Sequence, residues 1–300
     1  MGWLSRLLGG PGRSGAKPAQ APAARGASTA AAPPPGPPLL CWLLAGPAAP
    51  VPLPRPGPAS ADERKALALL DEVLAQAVLP AELLPRAANV VPQLLALLRQ
   101  RDLPVPVLAE RIGRDAVLAA EVLRQAGGAF FAHLGPVADL QQAIQRLGIE
   151  GLQMAIARVV LRPMFQAQPG SLSARTADRL WEHADVLSRH AVVAARAAGA
   201  SAFDAYLVGL LHDSGWTVLM HVLQRAGIRD LDTPSEAGAE AFAQRAHALF
   251  GRAAAAWPIT PAFTAFALDA QRTPLAQSEH ALAAVLRAAQ PPCMAELQGG

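Results

Sequence analysis

His212 and Asp213 stand side by side in the run Tyr206-Leu-Val-Gly-Leu-Leu-His-Asp-Ser-Gly215. An imidazole next to a carboxylate offers two chemistries. The two can supply a nitrogen and an oxygen ligand to a divalent cation, or an imidazole can satisfy a carboxylate in a packed core with no metal. Leu207, Leu210 and Leu211 precede the pair and Gly215 follows it, which predicts a buried helix that a second helix approaches closely. Neighbours on one helix point about 100° apart, so both reach one site only where other helices converge on that edge. His190 lies two turns past His183, on a similar face, and reads as a second polar core residue. His221 is nine residues past His212, about 180° round a continuous helix, and should miss a shared site. His133 and His280 have no partners in sequence and read as surface or loop residues. Ser188 and Ser214 each sit near a histidine, yet no Gly-x-Ser-x-Gly elbow surrounds either. Gly9 to Gly15 is glycine-dense but follows no strand, so it is no phosphate loop.

The elements that must position these residues are helices. The chain has 300 residues, 52% of them hydrophobic and 16% charged, with one Tyr and eight Phe. Such an Ala- and Leu-rich composition favours packed helices, and no sustained alternation demands a strand. Residues 1–59 hold fourteen of the 28 prolines and read as a disordered Pro/Ala-rich segment. Its one apolar island, Leu39-Leu40-Cys41-Trp42-Leu43-Leu44, reads as a docking segment, because six apolar residues in a row are costly to leave in water. Ser60 and Glu63 form a capping-box pattern that opens a leading helix over 60–78. Further helices are predicted over Val90 to Leu98, Pro106 to Arg114, Asp115 to Gln125, Asp139 to Gly148 and Glu150 to Val160. Beyond Pro169-Gly170 come Ser173 to Ala198, one helix over Asp204 to Leu223, and one from a Thr233 cap to Ala256. Another opens at Thr260-Pro261, and the last runs over Ser278 to Ala289. Residues 291–300 read as a flexible tail.

Charge and cysteine usage exclude several function classes. Arg6, Arg13, Lys17, Arg25 and Arg55 all precede the first acid, Asp62. Subtracting those five leaves 21 bases against 23 acids, so the net charge of +3 gives the body no electrostatic case for nucleic acid. Cys41 and Cys293 form no framework spacing and read as reduced thiols, consistent with the cytoplasm. No apolar run approaches the roughly 20 residues that cross a bilayer, and the Trp3–Leu8 cluster alone gives no stable membrane insertion.

The order of these pieces from about Leu79 to Ala289 resembles the HDOD domain, an HD-related output domain of bacterial signalling proteins. In the first half the resemblance rests on Leu79-Pro80, Val91-Pro92-Gln93-Leu94, Ile112-Gly-Arg-Asp115, Phe130-Phe131, and Ala143-Ile144 with Leu147-Gly148. In the second half it rests on Trp181-Glu182-His183, Gly209-Leu-Leu-His212-Asp213-Ser-Gly215, His247 and Trp257 with its prolines. It departs from the family at Arg124 to Gly128, where Leu-Ala-Asn-Ser is usual, and at Ala267-Leu268-Asp269, where paired histidines often stand. The resemblance implies an all-α, two-lobed HD-like bundle over 79–290, with an N-lobe at 79–165 and an HD-like lobe at 171–290.

Catalytic HD phosphohydrolases hold a divalent ion through a histidine, a His-Asp pair and a later aspartate. By resemblance these would be His183, His212, Asp213 and Asp269, with His247 as an extra ligand. The incomplete set favours a vestigial polar cluster with no metal and no cofactor. The expected function is a non-catalytic signalling or scaffolding module that binds a protein partner or small ligand. In its resting state Leu39, Leu40, Trp42, Leu43 and Leu44 would fill its groove. The alternatives are a metal-dependent phosphohydrolase of nucleotides or cyclic dinucleotides, and a nucleotide sensor that does not hydrolyse its ligand. Ala-rich faces at Ala191 to Ala198 and Ala253 to Ala256 allow close packing within the domain or across a homodimer.

Overall fold

The computed structural model describes residues 38–45, 50–84, 103–166, 172–228 and 231–299. The expectations for residues 1–37 and for the helix Val90 to Leu98 lie outside the described residues. Among the described residues the fold is all-α, with no strand and a lone bridge pairing Arg55 with Ser235. Helices α1 (Leu39–Leu44) and α2 (Ala61–Ala75) come first. One lobe follows in α3 (Val105–Gly113), α4 (Ala116–Ala126) and α5 (Leu140–Leu161). The second lobe holds α6 (Leu172–Ala197), α7 (Ala202–Leu211), α8 (Ser214–Arg225), α9 (Glu236–Ala254), α10 (Pro261–Ala270) and α11 (Ala281–Gly299). The long α6 is its axis, packed on α7, α8 and α11, while α9 packs on α8, α10 and α2.

Local sequence accounts for most of the helix starts. The Ser60 hydroxyl accepts from the Glu63 amide while the Glu63 carboxylate accepts from the Ser60 amide, so the capping box is complete. Asp115, Asp139 and Thr260 cap α4, α5 and α10 more simply, each side chain accepting from an amide of the first turn. Gly148, at φ 66°, makes a left-handed joint inside α5 where one helical run ends and the next begins.

Four expectations are corrected by tertiary contacts. The helix expected over Asp204 to Leu223 is broken at His212–Asp213, where the chain tightens to a Gly215 N–H donating to the His212 carbonyl at 3.2 Å. The cap of α9 is Ser235, not Thr233. Here the Arg55 amide donates to the Pro234 carbonyl and the Glu236 amide to the Arg55 carbonyl, so an extended bridge holds Pro234 outside the helix. That bridge also orders residues 50–59, which were expected to lack structure. Residues 291–299 form no loose tail but continue α11 through Pro291 and Pro292. Burial of Cys293 and an ion pair from Glu296 to Arg189 hold that end against α6.

Three glycines set the closeness of the second lobe. A methyl at Gly209 would lie 2.6 Å from the Ser188 Cα, one at Gly251 2.7 Å from the Ala267 carbonyl oxygen, and one at Gly215 2.0 Å from the Ala246 carbonyl oxygen. Backbone lies against backbone at each crossing, and Gly209 and Gly215 bracket His212 and Asp213. Ala191, Ala195, Ala253 and Ala254 are all buried inside the domain, so these faces serve internal packing. Gly215→Ala should therefore destabilise the fold by about 1–3 kcal/mol or more, because no flexible side chain can yield. Gly299→Ala, with nothing within 4 Å, should leave the melting temperature unchanged. Thermal denaturation of the two variants beside the parent checks this.

Candidate functional site

The break between α7 and α8 projects His212 and Asp213 into the interior, where α6 supplies His183 and α9 supplies His247. All four side chains are buried. Asp213 occupies the N-cap position of α8 but caps no amide there. Its carboxylate instead turns to α6, where His183 Nδ1 lies 2.5 Å from Asp213 Oδ2. The other ring nitrogen, His183 Nε2, lies 3.2 Å from Gln290 Oε1 on α11. Both ring nitrogens of His183 therefore face oxygen atoms of the protein.

Electrostatics agree with that geometry. Burial alone would depress the His183 pKa, but the Asp213 carboxylate overrides it and lifts the group from 6.5 to about 10. Burial raises Asp213 in turn, and the His183 cation outweighs that and holds it below the usual carboxylate range. The amides opening α8 add a favourable field for the carboxylate. A second pair stands beside the first, His212 Nε2 being 3.0 Å from His247 Nδ1. Burial first, then His212, pushes His247 down to about 3, so His247 is neutral at pH 7. His212 Nδ1, Asp213 Oδ1 and His247 Nε2 have no hydrogen-bond partner among the described residues. The first two are 3.9 Å apart, a spacing that one bridging water spans.

These residues do not fit a resident metal ion. Both nitrogens of His183 are turned to protein oxygens, contacts that a metal would have to displace. Asp269 stands at the end of α10, where its Oδ2 accepts from the Ser278 hydroxyl at 2.5 Å while its charge still acts on His247. Among the described residues no three His, Cys, Asp or Glu side chains are placed to hold a metal. The structure thus joins His183, His212, Asp213 and His247 by close contacts, while Asp269 bears on them only through its charge, which works to raise the His247 pKa. His212 and Asp213 share the site because α6 and α9 converge on it, and each finds its shortest side-chain partner on another helix.

Of the remaining histidines only His190 departs from expectation: it is no core residue but a partly exposed group whose Nε2 meets Glu296 at 2.8 Å. His133 is exposed and His280 lies in the loop before α11, where its Nδ1 accepts from the Leu282 amide and its ring lies 5.4 Å from Phe266. His221 is held low by burial and bonds toward the Leu83 backbone, away from the cluster.

The apolar island closes one side of the site. Leu40, Cys41, Trp42 and Leu43 are buried, and α1 packs on α6 and α9. Leu39 and Leu44 are partly buried against the same core. The Trp42 ring sits 6.3 Å from the His183 ring. On its other side the Arg179 guanidinium lies 4.6 Å from the Trp42 centroid and donates to the Trp42 carbonyl. Both cysteines are free and buried, and Cys293 Sγ contacts the His183 carbonyl. Burial pushes the Cys41 thiol up, which keeps it protonated and unreactive. Gln290, Cys293 and Arg179 carried no signal in the sequence, because only helix packing brings them here.

The HDOD domain family pattern matches residues 84–267. No curated protein matches the chain. A Shewanella amazonensis SB2B structure named "Putative metal-dependent phosphohydrolase" is similar at 18% identity and TM-score 0.58, covering 80% of this chain and 86% of that one. An HDOD domain protein of unknown function from Geobacter sulfurreducens covers 79% of this chain and 94% of its own, at 19% identity and TM-score 0.40. A Marinobacter aquaeolei VT8 structure named "Putative signal transduction protein" covers 77% of this chain and 54% of its own, at 20% identity and TM-score 0.48. The Shewanella likeness supports the helical fold. No described helix is long and apolar enough to cross a membrane.

Two predictions follow from the cluster. Asp213→Asn leaves a buried cation unpaired and should cost about 3–5 kcal/mol, whereas His183→Leu with Asp213→Leu should cost clearly less, since an apolar pair often replaces a buried ion pair. Urea denaturation of the parent, the single and the double variant measures the difference. The pH dependence has two limbs. His183, raised in the fold, stabilises fully below about 6.5 and loses that contribution as pH rises through about 10. His247, lowered in the fold, stabilises fully above about 6.5 and loses that contribution as pH falls toward about 3. Melting temperature should peak near neutrality, and His247→Gln, which does not titrate, should flatten the acid limb alone.

Proposed function

Because the chain belongs to the HDOD domain family, we propose that it works as a non-catalytic signal-transduction or scaffolding module of a bacterial cytoplasm. It acts by binding a protein partner or a ligand, and α1 is the internal occupant of its groove. The observation that carries this reading is the engagement of His183. Its Nδ1 faces Asp213, its Nε2 faces Gln290, and the Trp42 ring lies 6.3 Å from its own. Neither nitrogen is open to a metal as the side chains stand.

The position of α1 supports binding as the mode of action. A six-residue helix anchored by one tryptophan is a small, replaceable plug, and an amphipathic helix of a partner would meet the same apolar surface on α6 and α9. Displacing α1 would bare Trp42, the edge of His183 and the Arg179 guanidinium together, giving the module an open and a closed face.

The competing reading is a phosphohydrolase whose site α1 merely hides. It is tested by assaying the parent and Trp42→Ala, each verified as folded by circular dichroism, for phosphate release from nucleotides and cyclic dinucleotides with Mn2+ or Mg2+. Neither protein should release phosphate above the metal-only background. Metal-dependent turnover that appears in Trp42→Ala, or is present in the parent, would overturn the non-catalytic reading.

A further inference from the structure

Across α6 from the histidine cluster lies a cavity of about 580 Å³ between the two lobes. Asp185, Arg189, Val192 and Arg196 recur at four-, three- and four-residue steps, so one stripe of α6 lines it. His183 is two residues from Asp185, about 200° round the helix, which puts cluster and cavity on opposite faces. No cluster residue lines the cavity. Its volume falls in the range of small-molecule sites, roughly 300–1,000 Å³.

The lining is unusual in charge and in how that charge is held. Four guanidiniums reach it, from Arg124, Arg158, Arg189 and Arg196, against two carboxylates, Glu150 and Asp185. Arg158 is fixed at depth. Its Nε donates to Asp185 at 2.6 Å and its Nη1 to buried Glu121 at 2.9 Å, and its guanidinium stacks 5.4 Å from the Trp181 centroid. Beside it burial pushes the Tyr206 phenol far up, so its hydroxyl keeps its proton. The rim is looser. Arg189 meets Glu296 at 2.8 Å, and Arg196 meets Glu150 at 3.4 Å, with both arginine side chains more than half exposed. Exposed pairs of this kind contribute about 0–1 kcal/mol, so an incoming anion can take over those guanidiniums at little cost.

A phosphate suits that rim, because arginine presents forked donors that match its oxygens. An inorganic anion alone would leave the rest of the cavity unused. Met154, Leu147 and Val192 supply an apolar wall with the Phe131 ring at its edge, which suits a flat heterocycle. Glu150 is then freed to accept hydrogen bonds from ring amino groups or sugar hydroxyls. We propose that this inter-lobe cavity binds a nucleoside phosphate, its phosphate on Arg189 and Arg196 and its base against the Met154 wall. Binding there would join α5 to α6 and so tie the lobes together. This site is independent of the reading of the histidine cluster, and it needs no reaction.

The test is isothermal titration of the full chain with GMP, AMP and inorganic pyrophosphate at low and high salt. At least one nucleotide should bind more tightly than pyrophosphate and weaken as salt rises. Arg189→Ala with Arg196→Ala, both at exposed positions, should weaken it by at least about tenfold. Arg114→Ala, a solvent-facing arginine outside the cavity, should leave it unchanged. His212→Gln should also leave it unchanged. No heat of binding from any probe, pyrophosphate binding as tightly as the nucleotides, or loss of binding in His212→Gln with retention in the arginine pair would each overturn the proposal.

Discussion

The buried ion pair between His183 and Asp213 is the constraint around which the second lobe is arranged. A charge in the interior is tolerated only with a partner and with its remaining hydrogen-bonding positions filled. Asp213 supplies the partner from the start of α8, Gln290 fills the second donor from α11, and α6 carries the cation. Three helices distant in sequence must therefore keep their positions together. The glycine crossing at Gly209 brings α7 against α6 at Ser188, and the one at Gly215 brings α8 against α9 at Ala246. The aspartate between them therefore stands where α6 and α9 converge. The same closure turns both His183 nitrogens to protein oxygens, which a metal would have to displace.

On this view α6 has two working faces. One carries His183 and is sealed by Trp42 of α1, itself held by Arg179. The other carries Asp185, Arg189 and Arg196 along the cavity between the lobes. A change on either face is felt by one rigid helix, and Arg158 and Trp181 anchor that helix to α5 and to the turn beyond it. The arrangement fits a module whose output is a change in what its surface offers.

Much of the fold was legible because it is coded locally. The capping box at Ser60–Glu63, the caps at Asp115, Asp139 and Thr260, and the joint at Gly148 all follow from single residues and their near neighbours. The apolar island at Leu39–Leu44 was visible as six residues that water penalises. The site was legible only in its membership. His183, His212, Asp213 and His247 could be picked out, but not who bonds to whom. Pairing of His183 with Asp213 spans 30 residues, and its contact with Gln290 spans 107. The break at His212–Asp213 was hidden because both residues keep helical backbone angles, and only tightening of the next turn ends the helix. Asp269 looked eligible from its position and was drawn off by Ser278, nine residues away. Residues 291–299 looked loose because two prolines oppose a helix, yet contacts to α6 outweigh them.

The protonation state of His183 tests the central claim most directly. Nitrogen NMR of protein labelled in its histidine rings, assigned with a His183→Gln variant, should show both His183 nitrogens protonated at neutral pH. That pattern should persist on adding Zn2+ or Mn2+ and should titrate only near pH 10. A neutral His183 ring at pH 7, with one bare nitrogen whose signal moves when a divalent ion is added, would contradict the account.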